Sequence, residues 1–451
     1  MTMSTTDLDV VVVGAGVTGL TAAWRLQQAG RRVVVLEARD RVGGRLWTDT
    51  VDGVLLELGG QWVSPDQDAL LAMLDELGLD TFTRHRDGDS VYVTSGGNRR
   101  RFQGEAFPVG PDTAKEMERL TVILDDLSGA MDPLRPWELE NADDLDRMTF
   151  AAWLEAQTDD QEARDNIGLF IGPAMLTKPT HAFSALQAVQ MAASAGGFSH
   201  LVDSEFILDR RVVGGLQLVP LGLAERLGDV VRTGSPVTSI DWTDSGAQVT
   251  TPGATYTATD VVLAVPPTLV SRIAFTPELP GLHQQMRQHQ SFGLVIKLHA
   301  TYATPFWRED GLSGSAFSPY QVVHEAYDNT NHGEEQGTLV GFVSDENADE
   351  LLALDPAARR ERILTSLAAY YGPTALEPVS YFESDWVSEE WTTGAYATSF
   401  DIGSITRYGP LVHEAVGPIQ FVSSDVAGLG FQHVDGAIRM GGAAAGRILD
   451  R

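Results

Sequence analysis

The chain has 451 residues, 43 % of them hydrophobic and 21 % charged, with no cysteine. That length and balance give a globular protein with room for two domains, and the lack of thiols excludes disulfides, thiolate metal sites and cysteinyl attachment of a cofactor. With 62 acidic against 32 basic residues the net charge is −30, which argues against nucleic acid and anionic membranes and favours a cationic substrate, although a merely soluble acidic surface gives the same count.

In chain order, Met1 to Leu8 is short and polar and lacks the regions of an export signal; no 18-residue apolar stretch follows anywhere. The lack of cysteine is compatible with a reducing cytoplasm. Asp9-Val10-Val11-Val12-Val13 then reads as a buried strand running into Gly14-Ala15-Gly16-Val17-Thr18-Gly19, a helix, and a second buried strand at Arg32 to Leu36. Gly14 permits the tight turn, Gly16 lets backbone approach a pyrophosphate, and Gly19 lets the helix pack against the sheet. The helix N-terminus offers free N–H groups to phosphate. Glu37, 18 residues after Gly19, can accept hydrogen bonds from ribose hydroxyls. Strand, turn, helix and acid in register point to a dinucleotide site but do not separate NAD from FAD. Arg39 and Arg45 flank the pair Gly43-Gly44, suited to meeting phosphate. Gly59-Gly60 gives a second pair beside Gln61 and Trp62.

Residues 86–210 have a helical texture. Met117, Leu120, Leu124 and Leu127 recur at helical spacing with Lys115, Glu118 and Asp125 outside, and Phe150–Leu154, Asn166–Met175 and Ser184–Ala195 read as further helices. Strand signals return at Pro236–Asp241, Gln248–Thr250 and Asp260–Pro267, the last an apolar run suited to burial on both faces. Residues 291–390 mix strands with a helix near Ala358–Tyr370. Near the end, Ile419–Val422 reads as a strand and Gly436–Leu449 as a small-residue helix. The expected fold class is α/β. A Rossmann-like cofactor domain is assembled from 1–85, 211–290 and 391–451, and an α+β substrate domain from 86–210 and 291–390. No His, Asp and Glu cluster has metal-ligand spacing, and no hydrolytic Ser, His and Asp set is evident.

The glycine pairs with Arg45 resemble the N-terminal pattern of the FAD-dependent amine oxidases of the monoamine oxidase fold. The likeness extends through Gly59–Gln67, Asp165–Phe170, Phe183–Val189, Ser194–Asp203, Tyr327–His332 and Gln432–Ala437, and within the family it is stronger toward bacterial members acting on short diamines. The resemblance implies FAD as cofactor, oxidation of a primary amine of a short diamine with O2 as acceptor, release of an aminoaldehyde, ammonia and hydrogen peroxide, and a homodimer.

Lys297, in Val295-Ile296-Lys297-Leu298-His299, shares a strand face with Val295 and His299. Spacing alone leaves it either a snorkelling lysine of an edge strand or an active-site group. The resemblance makes it the family's lysine that holds a water near the flavin. Glu325 shares a face with Val323 and Tyr327 by alternation; pattern alone favours a solvated strand glutamate, whereas the resemblance makes it the anchor for the substrate's distal ammonium. Ala395 stands where covalent members carry a flavin-linked cysteine, which implies non-covalent FAD. Tyr396 matches an aromatic-cage tyrosine that orients the amine, and His433 replaces the second cage tyrosine. Asp425 matches an acid on the ribityl chain, Trp386 a tryptophan near the ring, and Val237 and Val434 backbone contacts to adenine and isoalloxazine. Rival readings are an oxidase of another amine or polyamine, a non-catalytic FAD protein, and an NAD(P)-dependent dehydrogenase. An amino-acid oxidase would need an arginine for the carboxylate, and the pattern places none in the pocket.

Overall fold

The computed structural model describes residues 5–104, 106–203 and 206–451; part of the N-terminal stretch read above for an export signal, Met1 to Ser4, lies outside them. The strand Thr5–Val13 pairs in parallel with Val33–Leu36 on one side and with Thr255–Leu263 on the other, with Val10 opposite Val33 and Asp260. Its valines alternate between two cores. Val10 and Val12 pack with the helix side, and Val11 and Val13 with Ile240 and Val249. Burial on both faces is why the strand is apolar without a polar alternation. Val231–Arg232 extends the sheet past Val33–Leu36, and Ile419–Phe421 joins Thr255–Leu263 in parallel. One sheet thus draws on three distant stretches of chain.

The helices Val17–Gln28 and Val434–Leu449 lie against each other beside this sheet. A Cβ on Gly441 would sit 2.4 Å from the Thr18 carbonyl oxygen, so the small residues of the last helix are what let the two backbones approach. In the turn, Gly14 has φ +100° and its missing Cβ would fall 2.6 Å from the Ala264 carbonyl; only glycine fits.

A second sheet of seven strands runs in the order Ser380–Ser384, Val295–Tyr302, Gly337–Ser344, Glu325–Asp328, Leu312–Phe317, Asp89–Val93, Arg99–Phe102. The helices Pro111–Ala130, Phe150–Gln157, Gln161–Ile171 and Ala185–Ser194 share a separate core around Leu120, Leu124, Phe150, Ile167 and Leu186.

Several sequence expectations need correction. Pro236-Val237-Thr238 precede the strand, which starts at Ser239; proline cannot donate to a ladder. The helix expected through Met175 ends at Ile171 and widens into a π-helical turn, Gly172–Leu176, where Pro173 removes a backbone donor. Asp125 is not outside: its carboxylate accepts from the Ser199 N–H at 3.0 Å, at the start of the short helix Phe198–Val202. Val323 does not share the face of Glu325. The strand begins at Glu325, and Val323 packs in the core of the opposite face with Ala326, while Tyr327 belongs to the cavity-side aromatic cluster.

Candidate active site

Between the two sheets lies a cavity of about 320 Å³. Its cofactor end is built from the first βαβ unit and from loops that return to it. Gly14, Gly16, Glu37, Arg39, Gly44 and Arg45 line it, with Gly60, Gln61, Trp62, Val237, Trp386, Ala395 and Val434. A Cβ on Gly16 would meet nothing within 4 Å, so the space above this glycine is open where a pyrophosphate would need to come close. No side chain caps the helix Val17–Gln28, and its first N–H groups face that space. This end therefore fits a dinucleotide.

The acids and arginines there are held by each other. Glu37 accepts from the Ala15 N–H at 2.7 Å and from the Arg39 N–H at 2.9 Å, which fixes its carboxylate at the turn. Arg39 donates to Glu389 at 2.6 Å and also to Thr392. Arg45 donates to Asp425 at 2.5 and 3.0 Å and to the Tyr396 carbonyl at 2.7 Å.

Two expected cofactor contacts lie off the cavity wall. Gly19 is a packing residue, since its Cβ would lie 2.0 Å from the Gly14 carbonyl oxygen. Asp425 is buried behind Arg45 and takes a further 2.7 Å hydrogen bond from the Thr398 N–H; it orients the arginine rather than facing the cavity.

Lys297, Glu325, Tyr396 and His433 line the same cavity although the chain separates them widely. Lys297 is in a central strand, paired on both sides with Gly337–Ser344 and Ser380–Ser384, so the edge-strand reading fails. Its ammonium donates to the carbonyls of Glu57 and Gly59 at 2.6 and 2.7 Å and to Gln61 Oε1 at 2.5 Å. Burial pushes its pKa down to about 7, with Glu57 pulling the other way.

Glu325 is 8 % exposed, which overturns the solvated reading. Tyr327 donates to its Oε2 at 2.8 Å, whereas among the described residues Oε1 has only the His324 ring nitrogen at 3.7 Å. One carboxylate oxygen is thus fixed and the other is available. Tyr396 packs edge-on to Phe342; burial and the Glu325 charge raise its phenol well above the ordinary value, keeping it neutral. His433 Nδ1 lies 2.8 Å from the Phe431 carbonyl. A carbonyl only accepts, so Nδ1 carries the proton. Burial lowers the His433 pKa, which favours a neutral ring with Nε2 as an acceptor.

Residues 17–449 match the family of flavin containing amine oxidoreductases. The chain belongs to this family. FAD is accordingly its cofactor, and the glycine-lined end is where the residues present fit it. The chain is 55 % identical to the putrescine oxidase of Kocuria rosea over 98 % of its own length and 95 % of the relative's. It is 33 % identical to human amine oxidase B, over 98 % of this chain and 86 % of the other. A solved structure of putrescine oxidase bound to putrescine, 58 % identical, superposes with a TM-score of 0.98 over 99 % of this chain and 100 % of that one. Among the described residues, no helix of this amine oxidoreductase is long and apolar enough to cross a membrane.

The sequence reading missed three features. Gln61, expected as a cofactor residue, also bridges Lys297 to Asn329, donating to the latter at 2.7 Å. Behind them a fully buried pair, Arg211 and Glu57 at 2.8 Å, supports the same wall. Arg84 lines the cavity, an arginine that the sequence pattern could not place there. Strand alternation carries no signal for any of these, because each depends on which loops the fold brings under the second sheet.

Proposed function

We propose that the protein oxidises a primary amine of putrescine and similar short diamines by O2. The products are 4-aminobutanal, which cyclises to 1-pyrroline, with ammonia and hydrogen peroxide. The observation that carries this is Glu325, a buried carboxylate with one free oxygen, facing the same cavity as Lys297 and Tyr396. A diamine has one nitrogen to oxidise and one left cationic, and Glu325 is placed to hold the second. The likeness to putrescine oxidases supports the same substrate.

FAD, when bound by the glycine-lined end, would supply the two-electron acceptor for the α C–H bond, with O2 as the final oxidant. The chain's own residues do the rest. Glu325 binds the distal ammonium and so sets the distance of the other nitrogen from the cofactor. Tyr396 presents its π face to the reacting amine, and His433 Nε2 accepts a hydrogen bond beside it. An amine must lose its proton before its lone pair can drive oxidation, and burial in the cavity disfavours the ammonium form there. As an ammonium Lys297 spends its three N–H groups on Glu57, Gly59 and Gln61, so it holds a water for the oxygen half-reaction as the neutral amine, a form its pKa of about 7 makes accessible. Water adds to the resulting imine, giving aldehyde and ammonia, so each turnover consumes one O2 and one water.

Ala395, at the position of the family's linked cysteine, leaves FAD bound without a covalent bond. The proposal includes the division into a cofactor domain (1–85, 211–290, 391–451) and a substrate domain (86–210, 291–390), and a cytoplasmic homodimer. The test is peroxide release by the purified yellow protein with putrescine beside butylamine. Fast turnover of putrescine and little of butylamine is expected. Equal rates would remove the anionic anchor, and no flavin reduction by either would refute the amine oxidase reading.

A further inference from the structure

Arg84 follows the short strand Thr81–Thr83 and is 4 % exposed. Its Nε donates to the Leu208 carbonyl at 3.3 Å and its Nη1 to Ser315 Oγ at 3.0 Å. Nη2 has no hydrogen-bond partner among the described residues, and no carboxylate of theirs forms an ion pair with the guanidinium. The neighbouring acids are engaged elsewhere: Asp328 by Arg308 and Trp307, Asp209 by Arg86 and Arg210. Burial lowers the Arg84 pKa only to about 10, so the group is a cation at neutral pH. A buried cation without a counter-ion is costly, and this one lines the cavity.

Its position relative to Glu325 is set by one residue. The Tyr327 hydroxyl donates to Glu325, and the Arg84 guanidinium carbon lies 5.1 Å from the centre of the same ring. Arg84 is therefore one aromatic ring away from the Glu325 carboxylate on the lining of the same cavity, within reach of a substrate extended beyond the nitrogen that Glu325 is proposed to hold.

We propose that Arg84 is a specificity residue that rejects substrates carrying another positive charge beyond the one held by Glu325. The inference rests on the diamine reading above. The same charge admits a neutral or anionic extension of equal length. The chain's overall charge of −30 would act in the opposite sense, so a penalty on the extra cation has to be local.

The test uses the holoenzyme and three N-substituted 1,4-diaminobutanes of similar size: a propyl tail, a 3-aminopropyl tail (spermidine) and a 2-carboxyethyl tail. All keep the secondary ammonium for Glu325 and differ in the charge at the end. Two like charges about 6–8 Å apart at an effective dielectric near 20 lower kcat/KM by about 30- to 100-fold. Wild type is therefore expected to prefer the propyl tail to the aminopropyl tail by about that factor, with the carboxyethyl tail at least equal to propyl. Arg84→Lys keeps the gap, whereas Arg84→Met closes it. A merely structural arginine would lower all three substrates together in Arg84→Met and leave their ratios unchanged; that outcome overturns the proposal. So does a wild-type protein that treats propyl and aminopropyl tails alike, a comparison that needs no variant to fold. Equally slow turnover of all three tails beside fast putrescine would show exclusion by size and also overturns it. Failure to oxidise putrescine itself would instead refute the diamine reading, and this inference with it.

Discussion

Replacing Glu325 by Gln removes a charge and little else. The amide keeps the volume and the shape, and its oxygen can still accept from the Tyr327 hydroxyl now 2.8 Å from Oε2. What is lost is the second oxygen as an anionic acceptor for the distal ammonium, a position with no partner nearer than the His324 ring at 3.7 Å among the described residues. A hydrogen bond between charged groups contributes about 1.5–3 kcal/mol, which corresponds to about a 10- to 150-fold loss in kcat/KM. Because Glu325 is 8 % exposed, solvent screens the interaction little and the upper half of that range is expected. Butylamine has no distal ammonium, so its kcat/KM should change by less than about threefold, under 1 kcal/mol. The assay is peroxide release under air with both amines on wild type and Glu325→Gln, with flavin content checked by absorbance. A loss of equal size on both amines would refute the anchoring role.

The two glycines Gly16 and Gly19 should separate cleanly. Gly16→Ala adds a methyl into open space at φ −75°, ψ 175°, so thermal stability of the apoprotein should hold while FAD content falls; unchanged flavin content would count against the phosphate site. Gly19→Ala places its methyl 2.0 Å from a backbone oxygen and should cost about 1–3 kcal/mol in denaturant unfolding. For Lys297, the folded pKa of about 7 lies below the ordinary 10.5. Between those values the unfolded chain holds a proton that the folded chain lacks, so this group makes the fold more stable as pH rises from 7 toward 10.5. Lys297→Met should remove that part of the slope in denaturation from pH 7 to 9.5, and parallel slopes would refute the lowered pKa. Acid precipitation should leave the flavin in the supernatant, since Ala395 offers no thiol; flavin in the pellet would show a covalent link.

The local sequence determined the cofactor end of this protein. The turn at Gly14 needs a positive φ, the open face above Gly16 needs no side chain, and Glu37 ends the adjacent strand, so three backbone requirements within one βαβ unit were legible as residue types. Helices such as Ala185–Ser194 and Val434–Leu449 were legible for the same reason, because their periodicity is local. The substrate end was only half legible. Lys297 and Glu325 stood out as ions in apolar strands, but whether they were buried or at an edge depended on which strands flanked them. The ladder on both sides of Val295–Tyr302 decided the first, and the Tyr327 hydroxyl the second. Asp425 carried an acidic residue in the right place, yet the fold turned its carboxylate to Arg45, some 380 residues away. Arg84 gave no signal at all: an arginine after a short strand reads as surface, and only the packing of Leu208, Ser315 and Tyr327 around it makes it a charge in the cavity. Contacts between distant segments fix the burial and partners of a charge, and those in turn fix what it does.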